Sequence, residues 1–255
     1  MHIDLEKRSE KVSIILKKIN VPEGMVLRVG CALDKSGSAK PFYDNGQMQE
    51  LTDRLLGVSY NFDDNGEIDM WLFHNESMEA PAVRQESYGS YVQSEIMGDP
   101  RLANSWGGTE YAPVMRDITN HYFPSLKSRS SGSEDVGFLG KLFGKKKEQK
   151  EQQPVVPVDE LTGEEKIPAL VLFITDGQNT DKSKTEQVIK DTVGKPIYWM
   201  MVGVGPSSEF SFIQDMADKY DHVGLVSFEN LDISDNVMYN KLLSGELAEW
   251  TRKNC

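Results

Sequence analysis

Short apolar runs alternate along the chain with segments whose apolar residues recur three and four positions apart. The runs at 26–33, 68–73, 169–175, 196–204 and 222–228 each have the length of a buried strand. Between them, Met48, Leu51, Leu55 and Val58 form one helical stripe. Tyr111, Val114 or Met115, Ile118 and Tyr122 form a second. Phe210, Ile213, Ala217 and Tyr220 form a third, with Ser207 or Ser208 as N-cap. Val237, Lys241 and Leu247 to Trp250 mark a last, less regular helical stretch, and 5–19 reads as a charged helix or a helix followed by a strand. This β-α repetition predicts an α/β fold: a doubly wound, mostly parallel central sheet of five to six strands flanked by helices. In that architecture ligands bind beyond the carboxyl ends of the strands, where the strand order reverses.

One region breaks the repetition. From 124 to 167 the chain is rich in Ser, then Lys, then Gln and Pro, and is expected to be a flexible insertion in a single domain spanning 26–255. Residues 1–25 are expected to be an N-terminal segment packed on that domain. Within the insertion, Phe138, Leu139, Leu142 and Phe143 precede Lys145, Lys146, Lys147 and Lys150. A solvated linker is the favoured reading, ahead of partner docking or membrane contact through 138–150.

With 38% hydrophobic residues the chain can bury a substantial core, and whole-chain disorder is excluded. No apolar run approaches the ~18 residues that cross a bilayer. The first residues are charged and lack the apolar stretch of a signal peptide, and there are only two cysteines, Cys31 and Cys255. A cytoplasmic location is expected. The formal net charge of −12 argues against nucleic acid as a partner.

Two strand ends carry acids. The first run closes on Asp34-Lys35-Ser36-Gly37-Ser38, so an acid is followed by hydroxyls two and four residues later, with Gly37 expected to allow a sharp turn. The run at 169–175 is followed by Asp176-Gly177. Between them, Gly107-Gly108-Thr109 sets a hydroxyl just before the Tyr111 stripe. Two carboxylates and three hydroxyls form a hard, all-oxygen donor set suited to Mg²⁺ or Mn²⁺, and less well to Ca²⁺. Carrying only two formal charges, it would leave an ion wanting a further anion, such as a partner's carboxylate. Lys35 sets a cation beside this centre, either weakening metal affinity or reaching a partner's acid.

Asp34-x-Ser36-x-Ser38, Thr109 and Asp176 resemble, in type, order and separation, the metal-ion-dependent adhesion site (MIDAS) of von Willebrand factor A (vWA) domains over residues 26–230. The resemblance implies a divalent ion held by Asp34, Ser36, Ser38, Thr109 and Asp176, directly or through water, and a protein partner that supplies an acidic side chain. The leading Asp4-Leu5-Glu6-Lys7-Arg8, Phe73-His74-Asn75, Trp106 to Thr109 and Gly140 to Lys145 are most similar to bacterial vWA proteins of tellurium resistance and cation stress.

Other motifs carry less. Asn61 to Asp69 imitates a calcium loop, but its twelfth position is Leu72 instead of the Glu an EF-hand needs, so it reads as a polar turn into a strand. The four histidines, His2, His74, His121 and His222, lack ligand spacing, and Gly203-Val204-Gly205 reads as a turn after a strand. No catalytic triad context or phosphate-loop glycine pattern appears. The expected function is therefore metal-dependent protein binding without catalysis. A metal-assisted phosphate-ester hydrolase and a metal-free scaffold are the alternatives.

Overall fold

The computed structural model describes residues 3–62, 66–125, 161, 163–243 and 245–254. Five of its strands fall on the apolar runs: β1 (Arg28–Asp34), β2 (Ile68–Phe73), β4 (Ala169–Thr175), β5 (Ile197–Val204) and β6 (Val223–Phe228). β4 and β5 are buried at every position, as strands covered on both faces must be. The remaining strand, β3 (Ser77–Val83), pairs antiparallel with β2 at the sheet edge. Its pattern is broken by the exposed Glu79 and Pro81, and an edge is where a strand proline is tolerated. The strand order is β3-β2-β1-β4-β5-β6, with every pair except β2–β3 parallel. The order reverses between β1 and β4.

Helices cover both faces. α1 (Ile3–Lys18), α3 (Gln47–Ser59), α8 (Asp235–Leu242) and α9 (Gly245–Asn254) pack with Val29, Cys31 and Leu33 on one side. α5 (Ala112–Tyr122), α6 (Lys182–Asp191) and α7 (Ser211–Lys219) pack with Ala32, Val171 and Phe173 on the other. Two short helices, α2 (Lys40–Asp44) and α4 (Pro100–Ala103), sit in the connections. The leading segment is one helix with no strand after it.

Several local expectations are corrected. Neither Ser207 nor Ser208 caps α7. Residues Ser207–Phe210 make a 3-10 turn entered from Pro206, and the α-helix begins after it. The buried face of α8 is Met238, Tyr239 and Leu242, whereas Val237 is 47% exposed. Lys241 also lies outward, its Nζ donating to the Ser227 carbonyl. Gly203 and Val204 are the last residues of β5, and Gly205, at φ +138°, makes the turn. Gly203 is needed where it stands, because a Cβ there would lie 2.6 Å from the Phe210 ring. In the calcium-like stretch, Asn61 donates to the Ser9 and Gly57 carbonyls, Glu67 accepts from Arg84, and Asp69 accepts from the Tyr122 hydroxyl. Residues 63–65 of that stretch lie outside the described residues.

The insertion leaves and re-enters the fold at one place. The Ser125 amide donates to Glu165 at 2.8 Å, and the Arg28 guanidinium donates to the carbonyls of both Tyr122 and Ile167. Residues 126–160 and Thr162, including the apolar-basic stretch at 138–150, lie outside the described residues, as do His2 and Cys255. Among the described residues, no helix is long and apolar enough to cross a membrane.

Candidate metal centre

Asp34 ends β1 and Thr175 ends β4, on the two strands that flank the reversal of strand order. Leu33 registers with Ile174, so Asp34 and Thr175 meet at the next position, where the Thr175 hydroxyl donates to Asp34 Oδ2 at 2.8 Å. The Ser36 amide donates to Asp34 Oδ1 at 2.7 Å, closing the tight loop. The Tyr43 hydroxyl donates to the Asp34 carbonyl from α2. Gly37 contributes differently from expectation: its φ is not positive, and its amide instead donates to the Gly107 carbonyl at 3.0 Å.

The hydroxyls converge on Asp176. Ser38 Oγ donates to Asp176 Oδ1 at 3.1 Å, Ser36 Oγ lies 3.4 Å from the same oxygen, and the two serine oxygens are 3.0 Å apart. Thr109 lies on the adjoining loop. That loop is bridged to the first through Ser36 and Gly107 and held by the Gly108 amide on Asn75 Oδ1. The Thr109 carbonyl accepts from the Thr180 amide, which ties its loop to the one after β4. Among the described residues, the Thr109 hydroxyl makes no hydrogen bond to the other four side chains.

Both carboxyls lie above their ordinary range. Burial pushes Asp34 up to about 6, with hydrogen bonds from Ser36 opposing and the charge of Asp176 adding to the rise. Burial also raises Asp176, against hydrogen bonds from Ser38 and Ser36. Among the described residues neither forms an ion pair. Two desolvated carboxylates ringed by hydroxyls, without a basic side chain to neutralise them, fit a hard divalent cation in charge and in donor type.

Three features of the site were not legible in the sequence. Asp181 stands just before α6 yet caps α5: its two oxygens accept the Tyr111 and Ala112 amides at 3.0 and 2.8 Å, and it also accepts from Asn179 and Thr185. Nothing local to 181 marks that role. Lys35 neither faces the centre nor extends outward. It is fully buried, its Nζ 3.5 Å from the Trp106 ring centroid and 4.9 Å from that of Tyr43, and burial pulls its ammonium down to about 8. His74 lies beside the Thr109 loop, its Nε2 2.6 Å from Ser105 Oγ. The Glu76 amide donates to His74 Nδ1, so the ring proton sits on Nε2 and is donated to Ser105. Ser105 therefore receives a hydrogen bond and gives up no proton to this histidine, and the pair is not a base with its nucleophile. His222 is a core residue at 7% exposure.

A curated relative, the uncharacterized protein YcbR of Bacillus subtilis (strain 168), is 29% identical over 256 residues, covering 98% of this chain and 87% of its own length. Among solved structures, proximal thread matrix protein 1 from the mussel byssus superposes with a TM-score of 0.51 at 13% identity, over 88% of this chain. This chain matches about half of that structure, 48% of its length. A family model described as the vWA found in the TerF C terminus matches residues 26–131 and 128–254. By that match, the chain belongs to the vWA-TerF-like family of von Willebrand factor A domains.

Proposed function

We propose that the chain is a binding module that captures another protein through a divalent cation, Mg²⁺ in the first instance, held by Asp34, Ser36, Ser38, Thr109 and Asp176. The observation that carries this reading is the spacing of the Ser36, Ser38 and Asp176 oxygens, 3.0, 3.1 and 3.4 Å apart. Neighbouring ligands of an octahedral ion with bonds of ~2.1 Å lie about 3 Å apart, so these donors need little rearrangement to surround Mg²⁺ or Mn²⁺. Ca²⁺, with bonds of ~2.3–2.6 Å and more ligands, would require the loops to spread. The ion would supply a Lewis-acidic position for an acidic side chain of the partner. The residues themselves orient and desolvate that position: Thr175 and the Ser36 amide fix the Asp34 carboxylate, and Asp176 aligns the two hydroxyls. A role in tellurite or cation stress, within the cytoplasm, accords with membership of a TerF-type family.

Thermal melting in EDTA, Mg²⁺, Mn²⁺ and Ca²⁺ tests the metal. At 100 times its Kd a bound ion adds ~2.7 kcal/mol, a rise of roughly 5–10 °C for a chain of this size. The natural chain is expected to shift with Mg²⁺ and Mn²⁺ and Asp34→Ala not to shift. No shift of the natural chain at 10 mM ion, on the order of a hundredfold above a Kd of ~0.1 mM, would sink the reading and leave a metal-free scaffold. Turnover of phosphate esters that disappears with Asp34→Ala would replace it with a hydrolase.

A further inference from the structure

Among the described residues, the Lys35 ammonium has no hydrogen-bond acceptor although the residue is fully buried. Such a group is costly unless something offsets its lost hydration, and what faces it is aromatic. The Trp106 ring lies 3.5 Å from Nζ and the Tyr43 ring 4.9 Å, while the two rings meet edge to face at 5.3 Å and 90°. The side-chain charges that act on it are Asp44 and Lys40, both on α2. Three parts of the fold meet in this stack: the loop after β1 through Lys35, α2 through Tyr43, and the loop before α5 through Trp106. Trp106 stands three residues ahead of Thr109. The backbone ties between the two loops are Gly37 to Gly107 at 3.0 Å and Gly107 to Lys35 at 3.4 Å, the second of them long.

We propose that Lys35 is a positioning residue for the metal centre: its buried ammonium, bound to the faces of Trp106 and Tyr43, clasps the loop of Thr109 against the loop of Ser36 and Ser38. This rests on the reading of the centre as a metal site. Cation–π attraction is strongest where the cation is desolvated, as here. An aromatic clasp also leaves every hydroxyl of the centre free for the ion, which a hydrogen-bonding lysine would not. A purely electrostatic role makes the opposite prediction, since removing a cation beside a metal site should tighten binding.

The full chain is compared with Lys35→Met, Trp106→Leu and the double variant. Metal affinity is read by titrating Mn²⁺ against the melting temperature. Exposure of Trp106 is read by acrylamide quenching, as the difference from Trp106→Leu. Lys35→Met should weaken Mn²⁺ by about 10- to 100-fold, as loss of a support behind a ligand does, and should make Trp106 more quenchable. Trp106→Leu should weaken it as much, and the double variant no further, because both break one interaction. Mn²⁺ affinity unchanged or tighter in Lys35→Met overturns the clasp. If the natural chain binds no Mn²⁺, the metal reading fails by itself. Quenching then decides the clasp: increased exposure of Trp106 in Lys35→Met supports it, and unchanged exposure overturns it. Should Lys35→Met not fold, Trp106→Leu, altered at a half-buried side chain, decides by whether it loses affinity.

Discussion

Asp181 accepts the first amides of α5 while standing immediately before α6, so one carboxylate fixes the Thr109 loop relative to the Asp176 loop. Replacing it with Ala would strand two helix amides and remove one acceptor each from Asn179 and Thr185. We expect Asp181→Ala to cost about 2–3 kcal/mol in urea unfolding, with partial recovery in Asp181→Asn. His222 gives a pH test remote from the centre. Burial holds its imidazole down at about 4, opposed by its hydrogen bond to Ile189 and by Asp221, with Lys195 lowering it further. Thr192 also touches the ring, and Tyr220 packs across it. A depressed value means that protonation favours the unfolded chain, so the stability from neutral His222 is complete above pH 6.5 and is lost as pH falls toward 4. The difference in stability between the natural chain and His222→Gln should shrink by roughly 3 kcal/mol over that interval. Of the candidate site, the clustering of Asp34, Ser36, Ser38 and Asp176 was legible because each ends a strand or follows one closely and carries an oxygen donor. The roles of Asp181 and Lys35 were not, because the Tyr111 amide and the Trp106 ring that define them lie some 70 positions away along the chain.

α1 is anchored by charge as well as by Leu5, Val12, Ile15 and Leu16. Asp235, at the start of α8, meets Lys11 at 2.8 Å, Arg54 at 3.2 Å and Arg8 at 3.7 Å, and Arg8 and Arg54 also pair with Glu50. Burial opposes its ionisation, but Lys11, Arg8 and Arg54 outweigh burial and hold the Asp235 carboxyl below its usual range. Asp235→Asn should cost about 2 kcal/mol. Hydrogen exchange should quicken in α1 while β4 and β5 stay protected, because the loss falls on one peripheral element. Close approach of α1 to α3 also depends on Gly57, where a Cβ would lie 2.9 Å from the Arg8 Cβ. Elements were readable in proportion to their apolar surface. The five parallel strands are nearly continuous apolar runs, whereas α6 buries only Thr185, Val188 and Ile189 and leaves too thin a stripe to detect. β3 was hidden by Pro81, and α8 was misread by one position because Val237, the most apolar-looking choice, faces solvent.

Across the whole molecule, the candidate metal centre and the base of the insertion lie at opposite ends of the same strands. Arg28 and Glu165 close the base at the start of β1 and β4, and Asp34 and Asp176 stand at or beyond their carboxyl ends. Seven residues of strand in each of β1 and β4, at ~3.3 Å per residue, separate the two by roughly 20 Å. Because the clamp joins residues on both sides of it, replacing 126–160 with a short Gly-Ser linker should move the melting temperature by no more than about 5 °C, since closure entropy changes slowly with loop length. The Mg²⁺-induced shift should survive the replacement. The same separation gives the molecule a handle and a working end. A fluorophore, an affinity tag or a resin linkage placed at the base itself, on the exposed Glu164, would leave from the pole opposite the candidate centre. Every immobilised copy would then present the loops of Asp34 and Asp176 outward to whatever is passed over it.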